Sequence, residues 1–295
     1  MPDSVSENYI RTYSENILLD AEQNQSKARA WCETRTQSGG PGMGSAVAFD
    51  GMGRVAMQRK LGRGEVTPRT DPGHKRRWAF PVSYSQGIPI EDADITAMLV
   101  DPKSKYTQRA SQSIGVQYDT DIFAAALGVA VTGETGTGTE TFSSYTDRNG
   151  TSHLIAVGAG AMTLEKLVQG KRILEECGVD GELVFFYSPQ TLEDCLLIEK
   201  FTSFFYAGTR ALENGQIFRF LDVTWVMSNY LPKSSTTRKN ILMQRGAVGF
   251  VGALEKVRVG ENPALSYENQ VYWEIKCGAV RRDAERVVEI DVTES

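Results

Sequence analysis

The chain is poor in the side chains that usually carry chemistry. Its 295 residues include two histidines, His74 and His153, and four cysteines, Cys32, Cys177, Cys195 and Cys277. No two cysteines form a CxxC pair, and no histidine stands at ligand spacing from one. Neither a zinc ribbon nor a disulfide framework is indicated, so the cysteines are expected to be reduced core residues, with no metal and no cofactor. Long apolar runs are missing too. None approaches the roughly 20 residues that a spanning helix needs, which speaks against a helical membrane protein. The first residues, 1–8, lack both a basic start and an apolar run, so no secretory signal is read and a cytoplasmic site of synthesis is expected.

Two glycine-rich stretches fail as nucleotide loops. Residues 133–140, GETGTGTE, carry Thr139 and Glu140 where a phosphate loop needs lysine, and glutamate repels phosphate. The pair Gly158 and Gly160 lacks the third glycine of a dinucleotide fingerprint. His74 lies beside Lys75, and His153 has no evident carboxylate partner along the chain, so both are expected to be surface polar residues and neither supports a nucleophilic triad. Asp92/Asp94 and Asp119/Asp121 are two apart. On a helix such residues point in different directions, so capping or pairing between subunits is expected rather than metal binding. No catalytic residue is assigned.

What the chain does have is an ordinary globular balance, 41% hydrophobic and 23% charged, enough for one large domain or two smaller ones. Net charge is −5, which argues against nucleic-acid wrapping as its main business. The distribution is uneven. Residues 54–77 contain Arg54, Arg59, Lys60, Arg63, Arg69, Lys75, Arg76 and Arg77 against Glu65 and Asp71, a net +6 that leaves −11 on the rest. A basic segment on an acidic body can be satisfied between copies of one chain. Trp78 and Phe80 could stack on bases, but docking on a neighbour is favoured, because their alternation with Val82 and Tyr84 suits strand packing.

Residues 1–35 read as an arm with a thin apolar stripe (Tyr9, Ile10, Tyr13, Ile17, Leu18), too thin to bury itself. Residues 38–44 are a flexible break. Residues 45–90 read as an extended two-stranded loop with a breaker-rich, charged centre. An isolated hairpin is marginal in water, so a partner is implied. Asp101 as N-cap and Pro102 at the first helical position open a helix that carries Tyr106, Ala110, Ile114, Tyr118, Ile122 and Ala126 every four residues. It is expected to end at Gly128, with a bend at Gly115. Residues 132–151 read as a surface loop. Residues 163–177 follow as a helix with Leu164, Leu167, Val168 and Leu174 inward, stopped by Gly178. Then come a buried strand (182–187), a helix opened by Ser188 and Pro189, a turn at Asn214 and Gly215, and a strand over 218–228 with Leu221, Val223, Trp225 and Met227 on one face. Residues 232–240 are expected to be a polar loop, and strands are expected over 247–251, 254–259, 267–279 and 286–292.

Several runs together resemble the major capsid proteins of tailed bacteriophages, whose fold is named after phage Hong Kong 97. They are PIEDADI at 89–95, DPKSKY at 101–106, YDTDIFAAA at 118–126, LEKL at 164–167, KRIL at 171–174 and YSPQTL at 187–192. ALENG at 211–215, VMSNYLP at 226–232, AVG at 247–249, SYENQVY at 266–272, GAVR at 278–281 and VVEI at 287–290 complete the set, over about residues 85–292. The resemblance implies an α+β Hong Kong 97-like capsid fold. It implies an N-terminal arm at 1–44, an extended loop at 45–90, a peripheral domain with spine helix at 91–154, an axial domain at 155–245, and returning peripheral strands at 246–295. It further implies self-assembly as hexamers and pentamers into an icosahedral virion shell around double-stranded DNA, built in the bacterial host cytoplasm. Other expected partners are a portal, a decoration protein and, because no fused scaffold segment is read before the arm, a separate scaffolding protein, unless such a segment has already been cleaved. The eight cations of residues 54–77 become the expected inter-subunit contact. Some relatives crosslink a lysine to an asparagine; Lys60 sits on the loop, but nothing around it in the sequence marks it as reactive. The alternatives are an encapsulin-like compartment shell and, more remotely, a DNA-binding protein.

Overall fold

Proline fits the first turn of a helix, where its missing N–H would have no partner. Pro102 opens α1, which spans Pro102–Leu127; Asp101 lies outside the described residues. A computed structural model describes residues 23, 25–36, 46–60, 62–64, 66–67, 69–90, 102–158, 160–198, 219–263 and 268–294. The four-residue stripe of α1 is its buried face: Ala110, Ile114, Tyr118, Ile122 and Ala126 are all buried. Each large member contributes roughly 1.5–3 kcal/mol by leaving water.

That face covers a four-stranded sheet in the order β1 (Glu33–Thr36), β13 (Val248–Asn262), β14 (Glu268–Arg281), β4 (Val82–Ile90). The two strands read over 247–251 and 254–259 are one long strand, β13, with an irregularity between Gly252 and Leu254. Tyr118 meets Phe250 of β13 edge-on at 5.1 Å between ring centroids.

The second sheet runs β7 (Leu154–Ile155), β15 (Val287–Thr293), β12 (Thr237–Gln244), β8 (Leu183–Tyr187), β10 (Val223–Met227), β9 (Arg219–Phe220), with β11 (Lys233–Ser234) added to β12. All five residues of β8 are buried, as its unbroken apolar run requires. Two helices accompany this sheet. The first, α2 (Leu164–Glu176), is capped by the Thr163 hydroxyl, which accepts from Lys166 N–H, and is ended by Gly178 at φ +66°. The second, α3 (Pro189–Leu197), is capped by the Ser188 hydroxyl, which accepts from Thr191 N–H. Phe123 of α1 meets Phe186 of β8 at 5.1 Å, so the long helix joins both sheets in one core. The third sheet is β2 (Val47–Met52), β3 (His74–Ala79), β5 (Val129–Thr132) and β6 (Gly138–Thr141), in that order.

Several expectations need correction. The alternation from Trp78 to Tyr84 is not one strand. It breaks at Phe80 and Pro81, and β3 and β4 enter different sheets; Arg77 and Ala79 are the buried side of β3. Residues 218–228 are two strands around a turn at Leu221 and Asp222, both at positive φ, so Leu221 is turned outward. A two-residue hairpin of type I′ needs that conformation at both positions. Residues 232–240 hold the β11–β12 hairpin, and Asn240 is fully buried, its side-chain oxygen accepting from Ser188 N–H at 3.2 Å. Val168 is 48% exposed, because Leu167, Ile173 and Leu174 define the inner face of α2. Residues 246–295 divide: β13 and β14 build the first sheet, while β15 pairs with β12 in the second. The readings at Asp92/Asp94, at Asn214 and Gly215, and of most of the arm lie outside the described residues.

Candidate assembly surface

Two extended segments were expected to need a neighbour. The arm's described end turns out to be held by its own chain. Asp119, buried on α1, accepts hydrogen bonds from Ser26 Oγ at 2.5 Å, Gln23 Nε2 at 2.5 Å, Lys27 N–H at 3.1 Å and Ala28 N–H at 3.0 Å. Asp121 accepts from Tyr84 Oη at 3.1 Å, Gln117 Nε2 at 2.9 Å and Cys277 Sγ at 3.2 Å. Both aspartates serve contacts inside the chain, not pairing between subunits. Gly115 serves the same strap. A β-carbon there would sit 3.0 Å from Ser26 N and 3.1 Å from the Gln25 carbonyl carbon, so a side chain would collide with the backbone crossing it. Its role is this close approach. The strap then continues into β1, which pairs in parallel with β13.

The segment between β2 and β3 behaves differently. Its base is well tied. Gly53 N–H donates to the Gly73 carbonyl at 2.6 Å. Arg76 pairs across the ladder with Asp50 at 2.5 Å, and this hydrogen-bonded arginine holds the Asp50 carboxyl below its usual range. Arg77 is buried and meets Glu140 at 2.7 Å. Trp78 Nε1 donates to the Gly133 carbonyl at 2.8 Å. Arg54 reaches Glu285 at 3.1 Å and also donates to the Cys177 carbonyl. Three of the eight candidate cations, Arg54, Arg76 and Arg77, are therefore engaged within the chain.

Beyond that base the loop carries no regular secondary structure in its described residues. Among the described residues Arg59, Lys60, Arg63, Arg69 and Lys75 are exposed and have no ion-pair partner. Large apolar side chains flank them in the open: Met57 is 99% exposed, Val66 87%, Met52 69% and Val55 54%. The stretch therefore mixes apolar and cationic groups, both facing water. Composition located the charge, but the apolar partners were visible only once their exposure was known.

The histidines behave unequally. His74 is exposed, as expected. His153 is fully buried, contrary to expectation: its Nε2 lies 3.9 Å from Asp147 and 3.6 Å from Cys177 Sγ. Burial and the nearby Asp147 push the Cys177 thiol up to about 12. Burial raises the Asp147 carboxyl, but hydrogen bonds from Thr151, Cys177 and Asn149 outweigh it and leave the group below its usual range. The thiol is thus a poor nucleophile. The sequence gives no warning of this cluster, because Asp147 and His153 are six apart on an irregular loop and Cys177 lies at the end of α2.

A family model described as phage capsid protein matches residues 5–294, nearly the whole chain. The chain belongs to the phage capsid protein family. Solved structures agree on the fold. The capsid of cyanophage P-SCSP1u is 14% identical at TM-score 0.73, covering 98% of this chain and 94% of that one. A structure of Mycobacterium phage Che8 is 15% identical at TM-score 0.69, over 96% and 97%. The cyanophage Pam1 capsid asymmetric unit is 13% identical at TM-score 0.69, over 99% of each. Comparison with curated proteins gave no significant match. The Hong Kong 97-like α+β fold expected from the sequence is the fold found. The protein is a structural component of a phage capsid, and the compartment-shell and DNA-binding alternatives are not favoured. No helix among the described residues is long and apolar enough to cross a membrane.

Proposed function

We propose that copies of this chain assemble as hexamers and pentamers into the icosahedral shell of a tailed phage, enclosing double-stranded DNA and doing no catalysis. The segment between β2 and β3 would lie across the next subunit. The observation that carries this reading is the loop itself: five cations with no ion-pair partner among the described residues, beside four exposed large apolar residues. Isolated, such a segment gains little from folding. Against a neighbour it removes apolar surface from water and finds counter-charge. Exposed acids on the α2–α3 side, among them Glu165, Asp180 and Glu193, offer that charge. Small contacts repeated around a closed symmetric lattice add to a large total. The arm, a portal, a decoration protein and a separate scaffolding protein would complete the assembly in the host cytoplasm.

The test replaces Arg59, Lys60, Arg63 and Arg69 together by glutamate in the full chain, co-expressed with its neighbouring phage genes. We expect a soluble subunit with an unchanged circular dichroism spectrum and no particles by electron microscopy. Normal particles would remove the loop from the interface. Arg76 and Arg77 are unsuitable for this test, because reversing them also breaks the Asp50 and Glu140 pairs. A salt-dependent gel shift that disappears in the same variant, with particles intact, would instead assign the loop to DNA.

A further inference from the structure

The Asp147, His153 and Cys177 cluster has no part in the assembly reading. Three of its donor atoms converge. Cys177 Sγ is 3.3 Å from Asp147 Oδ2, His153 Nε2 is 3.6 Å from Cys177 Sγ, and His153 Nε2 is 3.9 Å from Asp147 Oδ2. Donors sharing one tetrahedral zinc ion, with Zn–S about 2.3 Å and Zn–N or Zn–O about 2.1 Å, stand roughly 3.4–3.6 Å apart. The triangle matches one face of such a tetrahedron to within about half an ångström on its longest edge.

The atoms behind the triangle hold it in that orientation. His153 Nδ1 lies 2.8 Å from the Val287 carbonyl oxygen. An acceptor there keeps the proton on Nδ1 and leaves the Nε2 lone pair facing the cluster, the outer-sphere arrangement that orients ligating histidines. Asp147 Oδ1 accepts from Asn149 N–H and Thr151 N–H, each at 2.8 Å, which turns Oδ2 inward. All three side chains are closed to solvent, whereas Arg148, Asn149 and Gly150 on the turn above are exposed. Only that surface turn separates the cluster from solvent.

We propose that Asp147, His153 and Cys177 form a structural zinc site that clamps the 142–153 loop to the C-terminal end of α2, with water in the fourth position. Binding replaces the Cys177 thiol proton, which passes to solvent; no electron is transferred. The bound set is a thiolate, a carboxylate and a neutral imidazole, so two negative charges meet the dication and the buried site is neutral. Mixed sulfur, nitrogen and oxygen donors at tetrahedral spacing select zinc over magnesium or calcium, which take oxygen ligands in larger number. Without metal the thiol instead donates to Asp147 at 3.3 Å.

The experiment uses the full-length, unassembled chain, so its result does not depend on whether particles form. The protein is stripped with chelator, dialysed against zinc, and its metal content measured; a parallel sample is loaded with cobalt(II) and its absorption recorded. We expect a full equivalent of zinc per chain, a melting temperature several degrees above that of the stripped protein, and a cobalt spectrum with tetrahedral bands and a thiolate charge-transfer band. Cys177→Ala is expected to abolish that band and Cys195→Ala to keep it. Substoichiometric zinc in the wild-type chain, an octahedral cobalt spectrum without a thiolate band, or undiminished zinc in Cys177→Ala would each overturn the site. The wild-type cobalt spectrum decides even if the Cys177 variant does not fold.

Discussion

The strap at residues 25–36 and the loop between β2 and β3 start from the same position: extended, polar, without an interior. They end differently because of one buried carboxylate. Asp119 collects two backbone N–H groups and the Ser26 side chain of the strap, with Gln23 just before it, so that segment is ordered by its own molecule. Beyond the base, the loop's cations find no ion pair among the described residues. Its cations and apolar side chains remain turned to water. Extended chain does not by itself announce an interface; what matters is whether the rest of the subunit supplies a partner for its polar backbone.

The largest expected effect tests the anchor. Asp119→Ala leaves the buried Ala28 N–H and the part-buried Lys27 N–H without this acceptor and should cost about 2–4 kcal/mol in urea unfolding. An unchanged midpoint would mean that the strap is not held by its own chain. Gly115→Ala comes next and has a contested sign. Helix propensity alone favours alanine by up to about 1 kcal/mol. The contact with Ser26 N and the Gln25 carbonyl carbon should reverse this into a loss of about 1–3 kcal/mol, read from the same curves. A gain in stability would show that the strap lifts off α1. The smallest effect belongs to the loop. Met57→Ser with Val66→Ser should change subunit stability by less than about 0.5 kcal/mol, because neither side chain is packed. The same variant should assemble poorly, as particle yield by sedimentation would show. A large loss of subunit stability would place the loop on its own body and erase the contrast.

Much of the fold was legible. The cap Ser188, Pro189 at a helix start, Gly178 at a helix end, the stripe of α1 and the apolar run of β8 all act within a few residues of themselves, and they appear where their chemistry puts them. Partnerships were not legible. Pro81 separates β3 from β4, yet which sheet each joins depends on strands 50 and 190 residues further on. Asn240 looked like a loop residue because the acceptor role that buries it is defined by Ser188 on another strand's end. The basic window was visible as charge, but Arg77 could be removed from it only once Glu140 was seen beside it.

Amino-acid order alone settled the helices, their limits and the presence of an unusually basic segment, since backbone propensity, capping and charge are local properties. Tertiary structure decided which carboxylate receives the strap, which cations are left over, and that Asp147, His153 and Cys177 meet. Those outcomes depend on distances between groups far apart in the chain, and they exist only after the sheets have fixed their register.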